Sequence, residues 1–148
     1  MNNQTLKSIF SSAGGFAPIA LRVPVGIIFA AHGAQKLFGA FGGYGLQGTG
    51  QWMASIGLEP GYWMALLAGS AEFFGGLLLL LGLLTRPAAL VLAVTMLVAI
   101  FSVHFANGLF MANNGYEFAL ALLVVSLSLV LSGAGKLALD NIIAKKLA

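Results

Sequence analysis

Apolar residues along this chain gather into four long stretches separated by short polar or glycine-rich breaks, and that spacing predicts the elements. The stretches run from about Phe16 to Phe38, Tyr62 to Leu84, Pro87 to Asn107 and Tyr116 to Leu131. Each approaches the ~20 residues that a helix rising ~1.5 Å per residue needs to cross hydrocarbon; the fourth is the shortest. Only Thr85-Arg86 separates the second stretch from the third, and Pro87 suits a first helical turn, so these two helices are antiparallel neighbours. Asn113-Asn114-Gly115 makes a turn before the fourth. The connection from about Gly39 to Gly61 is longer and glycine-rich. Within it, Thr49 is placed to cap a short helix reaching Ile56, stopped by Gly57 and Pro60. Trp52, Met53 and Ile56 form its apolar side, resting at the membrane surface or plugging the bundle end. The first stretch, preceded by Lys7, has the layout of a signal sequence and is expected to be kept as a helix. The expected fold is all-α: one domain over residues 1–148, an integral membrane antiparallel four-helix bundle with a short interfacial helix between helices 1 and 2.

Composition supports a lipid environment. Hydrophobic residues make up 59% of the 148 and charged residues 7%, against about 25% charged in soluble domains. A soluble fold of this size has too little interior to hide so much apolar surface. Cysteine is absent, which excludes disulfides, thiolate nucleophiles, CxxC redox pairs and cysteine-held iron–sulfur clusters or zinc. No basic run with interleaved aromatics is present, so nucleic acid is not an expected partner; membrane lipid is.

The sparse charges set an expected orientation. Lys7, Arg22, Arg86, Lys136, Lys145 and Lys146 fall on the side of the termini, whereas Lys36, Glu59 and Glu117 fall toward the other. The positive-inside rule then places both termini in the cytoplasm of a multi-pass protein. Every tyrosine and tryptophan (Tyr44, Trp52, Tyr62, Trp63 and Tyr116) maps to the outer interface. Glu59 reads as a solvated loop residue, and Asp140 with Lys145 and Lys146 as a cytoplasmic tail that could meet anionic lipid. The segment His32–Tyr44 also aligns without gaps to His104–Tyr116, matching His, Ala, Leu, Phe, Ala, Gly and Tyr. A duplicated helical hairpin would put the two histidines at equivalent depths.

Ionisable groups inside lipid cost several kcal/mol and usually mark function. Arg22, Gly26, Phe29, Gly33 and Lys36 share one face of the first helix, with His32 beside Lys36. Ala68, Glu72 and Gly76 form a small-residue stripe on the second, and Glu117, Ala121, Val124 and Ser128 share a face of the fourth. Counted depths pair Arg22 with Glu72, and Lys36 with Glu117. The bland reading of such pairs is a structural pin that fixes register. His32, Lys36, His104 and Glu117 at one level favour a binding or proton-handling site instead. Metal held by His32, His104 and Glu117, or haem between the two histidines, ranks lower, because no tight ligand motif is present.

The runs His32-Gly-Ala-Gln-Lys36-Leu-Phe-Gly, Ala71-Glu72-Phe-Phe-Gly-Gly and Gly82-Leu-Leu-Thr-Arg86-Pro-Ala-Ala, followed by His104 and Gly115-Tyr-Glu117, resemble the DoxX family over nearly the whole chain. The resemblance implies a small bacterial inner-membrane protein of four helices, in a family whose members often carry the name oxidoreductase. Relatives include a subunit of an archaeal thiosulfate:quinone oxidoreductase and proteins linked to quinone or oxidative-stress resistance. It implies matching roles for Arg22, His32, Lys36, Glu72, His104 and Glu117. The functional expectation is a quinone or quinol site in the outer half of the bundle, with no covalently attached cofactor. His32 or His104 would hydrogen-bond a carbonyl, Lys36 would stabilise a developing oxyanion, and Glu72 or Glu117 would relay protons. Arg22 belongs to the same polar face, and Phe29, Phe38 and Phe101 would flank the ring. Redox partner proteins and a homo-oligomer are expected as companions. Two other classes fit the residues: a carrier for a small solute coupled to protons, and a non-catalytic anchor for redox partners.

Overall fold

The computed structural model describes residues 8–12 and 15–146; Lys7 lies outside them. The described chain is helical, with helices α1 (Ala17–Phe38), α2 (Gly45–Ser55), α3 (Gly61–Leu81), α4 (Thr85–Ala99), α5 (Glu117–Ser132) and α6 (Leu139–Lys146). Helix α4 widens into a π turn over Ile100–His104 and tightens to a 3₁₀ turn over Phe105–Asn107. Three segments are long and apolar enough to cross a membrane: Ala17–Phe38, Gly61–Leu81 and Thr85–Asn107. Helix α5, 16 residues long, completes the bundle but spans only about 24 Å. The protein is thus a membrane-embedded antiparallel helical bundle with α2 packed across one end.

The bundle has a basic end and an aromatic end. Arg22, Arg86 and α6 lie at the first, with the start of α1. Tyr44, Trp52, Tyr62, Trp63 and Tyr116 lie at the second, where α1 ends and α3 and α5 begin. Phe29 and Leu92 are almost wholly buried in the middle of the core, as are Leu79 and Leu129 toward the basic end.

Helices α1 and α3 meet backbone to backbone. A Cβ at Gly33 would lie 2.3 Å from the Phe73 nitrogen, and one at Gly76 would lie 2.5 Å from that of Ala30. Small residues permit this approach, which in lipid replaces the missing hydrophobic drive with close packing. Gly33→Ala is therefore expected to destabilise the protein by about 1–3 kcal/mol through overpacking. Gly15→Ala, where a Cβ meets nothing within 4 Å, is the matched control. Thermal unfolding in detergent separates the two; equal melting would mean the helices part at no cost.

Several sequence expectations are corrected here. Thr49 does not cap α2: the helix already begins at Gly45, and Thr49 is buried within it. The second helix ends at Leu81 rather than Leu84, because Gly82 adopts a left-handed C-cap (φ 60°) and Leu84 follows at φ 48°. Glu59, by contrast, is the exposed loop residue expected, and it also accepts a hydrogen bond from the Gly61 N–H at 3.1 Å at the start of α3. Asp140 is no loose tail residue. It is 1% exposed and accepts from the Leu84 and Thr85 N–H groups at 2.7 and 3.0 Å, capping α4. The two halves of the aligned repeat fold differently: His32 sits in regular helix that continues to Phe38, whereas His104 closes a π turn and the chain turns away at Gly108.

Candidate functional site

Side chains on a helix lean toward its N-terminus. For α1 that direction is the basic end, and it decides the partners of both cations. The Arg22 guanidinium reaches down to four carbonyls: Nε donates to Ala134 at 3.0 Å, Nη1 to Leu79 and Leu80 at 2.9 and 2.7 Å, and Nη2 to Leu137 at 2.6 Å. Lys36 also leans down, and its Nζ donates to Glu72 Oε2 at 2.6 Å. This is the only ion pair among the described residues. The expected pairs Arg22–Glu72 and Lys36–Glu117 are not formed. The depth count behind them set the helices flush, but α3 starts beyond the end of α1. Gly69 is level with Leu37 and Lys36 (a Gly69 Cβ would lie 3.2 Å from that of Lys36), so Glu72 is one turn below Lys36.

The pair faces a cavity of about 430 Å³ between the helices at the aromatic end. Helix α1 contributes Phe29, His32 and Lys36 to its wall, and α3 contributes Ala68 and Glu72. Met96, Ala99, Ser102 and His104 come from α4 and its π turn, and Phe118 and Leu122 from α5. Trp52 and Met53 of α2, with Met111 and Asn114 of the loop before α5, close the end. The short helix therefore does line the bundle mouth. Its size and largely apolar wall with a few convergent polar groups suit a small organic ligand. The His32 and Phe118 rings stand 6.3 Å apart, tilted at 51°. His104 Nδ1 lies 2.9 Å from the Asn114 carbonyl oxygen.

Of the residues singled out in the sequence, Phe29, His32, Lys36, Glu72 and His104 converge on this cavity. Four do not. Arg22 serves the basic end. Phe38 is 65% and Phe101 68% exposed, facing outward. Glu117 binds its own loop, Oε1 accepting from the Met111 N–H at 2.6 Å. Its helix face looks outward, because α5 buries Ala119, Leu122, Leu123, Ser126 and Leu129 instead. Reasoning from sequence missed Phe118 as a wall residue, and Asn114 as the partner of His104. Trp52 was legible on the apolar side of the short helix, and it lines the cavity mouth while staying 43% exposed. Among the described residues no group of three or more His, Asp or Glu side chains is placed to hold a metal ion.

The DoxX family profile matches residues 17–105, from the start of α1 through the π turn that follows α4. The chain is 39% identical over 127 residues to a Bacillus subtilis protein named "Putative oxidoreductase CatD", covering 86% of this chain and 87% of that one. It is 40% identical over 133 residues to an uncharacterised protein of Haemophilus influenzae, covering 85% and 90% of the two chains. No solved structure matches. With the family profile spanning more than half of the chain, and relatives aligned along most of their length, this membrane protein belongs to the DoxX family.

Proposed function

We propose that the protein is a component of a bacterial inner-membrane oxidoreductase system and that its cavity binds the head group of a quinone or quinol. The observation that carries this reading is one acid, one ammonium and two imidazoles set in the wall of an otherwise apolar cavity within lipid-embedded helices. The name borne by the Bacillus subtilis relative agrees with a redox role. Lys36 supplies a cation to a ring oxygen as negative charge develops, His32 and His104 hydrogen-bond the ring oxygens, and Glu72 exchanges protons. Phe29 and Phe118 pack the ring. The chain has no cysteine, so a thiol relay is not available, and electrons reach the ring from a partner redox protein. Arg86, Lys136, Lys145 and Lys146 gather at the basic end with α6, and the positive-inside rule supports reading that end, with both termini, as cytoplasmic.

The test is binding. Protein in lipid nanodiscs is titrated with decyl-ubiquinone while tryptophan fluorescence is followed, Trp52 being in the cavity wall. Saturable quenching is expected, weakened about ten-fold in His32→Phe, a loss of about one hydrogen bond. Lipid extracts of the mildly solubilised protein are expected to contain quinone. Failure of both measurements would overturn the proposal.

A further inference from the structure

Ring ligands of this kind differ between redox states in hydrogen-bonding sense. The oxidised ring offers carbonyl oxygens, which only accept. The reduced ring offers hydroxyls, which donate and accept. The cavity wall is not neutral between them. His104 Nδ1 faces the Asn114 carbonyl at 2.9 Å. A carbonyl cannot donate, so Nδ1 carries the proton in this contact, and Nε2 of the neutral ring is left as an acceptor. Nε2 has no hydrogen-bond partner among the described residues. The Asn114 carbonyl is itself held, accepting from Asn107 Nδ2 at 3.3 Å, so the geometry that fixes the tautomer is shared by two side chains. Across the cavity, Glu72 accepts from Lys36 through Oε2, and Oε1 has no hydrogen-bond partner among the described residues.

We infer that the cavity selects the reduced, hydroxyl-bearing form of its ring ligand, with His104 Nε2 as the selecting acceptor. The inference rests on the reading of the cavity as a quinone-type site. Both redox forms accept from the remaining Lys36 protons, so Lys36 contributes affinity without choice. Only the reduced form can donate to Nε2. An oxidised ring in the same place sets carbonyl lone pairs against the imidazole nitrogen and leaves that acceptor dry and unpaired. Asn114 is thus a positioning residue, acting on the ligand through the His104 tautomer.

The experiment compares three probes on the nanodisc-embedded full chain: decyl-ubiquinone, its quinol kept under anaerobic conditions, and the dimethyl ether of that quinol, which accepts but cannot donate. The quinol is expected to bind about ten-fold tighter than either of the others. That ratio raises the midpoint potential of the bound two-electron couple by about 30 mV. His104→Phe is expected to weaken the quinol about ten-fold more than the quinone. Equal affinities of the three probes for the unaltered protein, or a quinol preference undiminished in His104→Phe, overturn the inference while leaving the quinone reading in place. Absence of binding by all three overturns both. The comparison of quinol with its ether needs no variant, so a misfolded His104→Phe does not blunt the test.

Discussion

Arg22→Met is expected to lower the melting temperature of the solubilised protein by roughly 10 °C, a loss on the order of 4 kcal/mol. Methionine keeps much of the apolar stem and removes the fork. Four carbonyl oxygens then lose the guanidinium, and among the described residues only that of Leu79 keeps another donor, the Gly82 N–H. Leu79 and Leu80 are in the last turn of α3, at the negative end of its dipole; the Leu79 carbonyl also accepts from the Gly82 N–H at 3.1 Å, so Arg22 is its second donor. Ala134 and Leu137 belong to the turn that follows α5. Arg22 is 2% exposed, so water does not replace it without opening the bundle end. Hydrogen bonds from a charged donor contribute about 1.5–3 kcal/mol each and are not additive, which brings four of them to the stated total. Arg22→Lys restores charge but not the planar fork and should recover only part. A melting temperature within two or three degrees of the parent would show that the carbonyls find other donors.

The second large effect concerns the ion pair. Lys36→Met leaves Glu72, whose side chain is 5% exposed, without its cation. Stranding a buried charge costs about 3–5 kcal/mol. The double substitution Lys36→Met with Glu72→Leu is expected to recover most of that stability, since apolar side chains of similar volume often replace a buried pair without loss. Ligand binding is expected to be lost in the single and the double variant alike. Stability and binding would then part company, which a purely structural pin does not allow. Thermal unfolding combined with decyl-ubiquinone titration of the three proteins checks this. A double variant that binds as the parent does would reduce the pair to register fixing.

Much of this architecture was legible in hydrophobic spacing. The long apolar stretches and the tight second connection follow from the requirement that backbone polar groups in lipid be satisfied within helices, and the spans found lie within a few residues of those expected. The face carrying Gly26, Gly33 and Lys36 was readable because helical periodicity is rigid. Partner assignment was not. Depth counted along each stretch says nothing about the relative offset of two helices, and the offset of α1 against α3 moved Lys36 from Glu117 to Glu72. Direction of lean also escaped the count, though it follows from backbone geometry and would have sent Arg22 to the basic end. Asp140 looked like a tail because its burial depends on Arg22, Gly82 and the start of α4, all distant in sequence. The outward turn of Glu117 escaped too, because α5 is apolar on nearly every side and its periodicity does not announce which face is buried.

The segment from Ala134 to Asp140 has a consequence for how the protein is made. A chain ending at Ser132 already carries every apolar stretch of the bundle. Yet Arg22 still lacks two of its four acceptors, and the first turn of α4 still lacks its carboxylate. What carries the chain across the bilayer and what closes its basic end therefore lie in different stretches of sequence. A premature stop in this short stretch would leave a protein that counts as whole by hydropathy, with Arg22 short of two acceptors and the first turn of α4 uncapped.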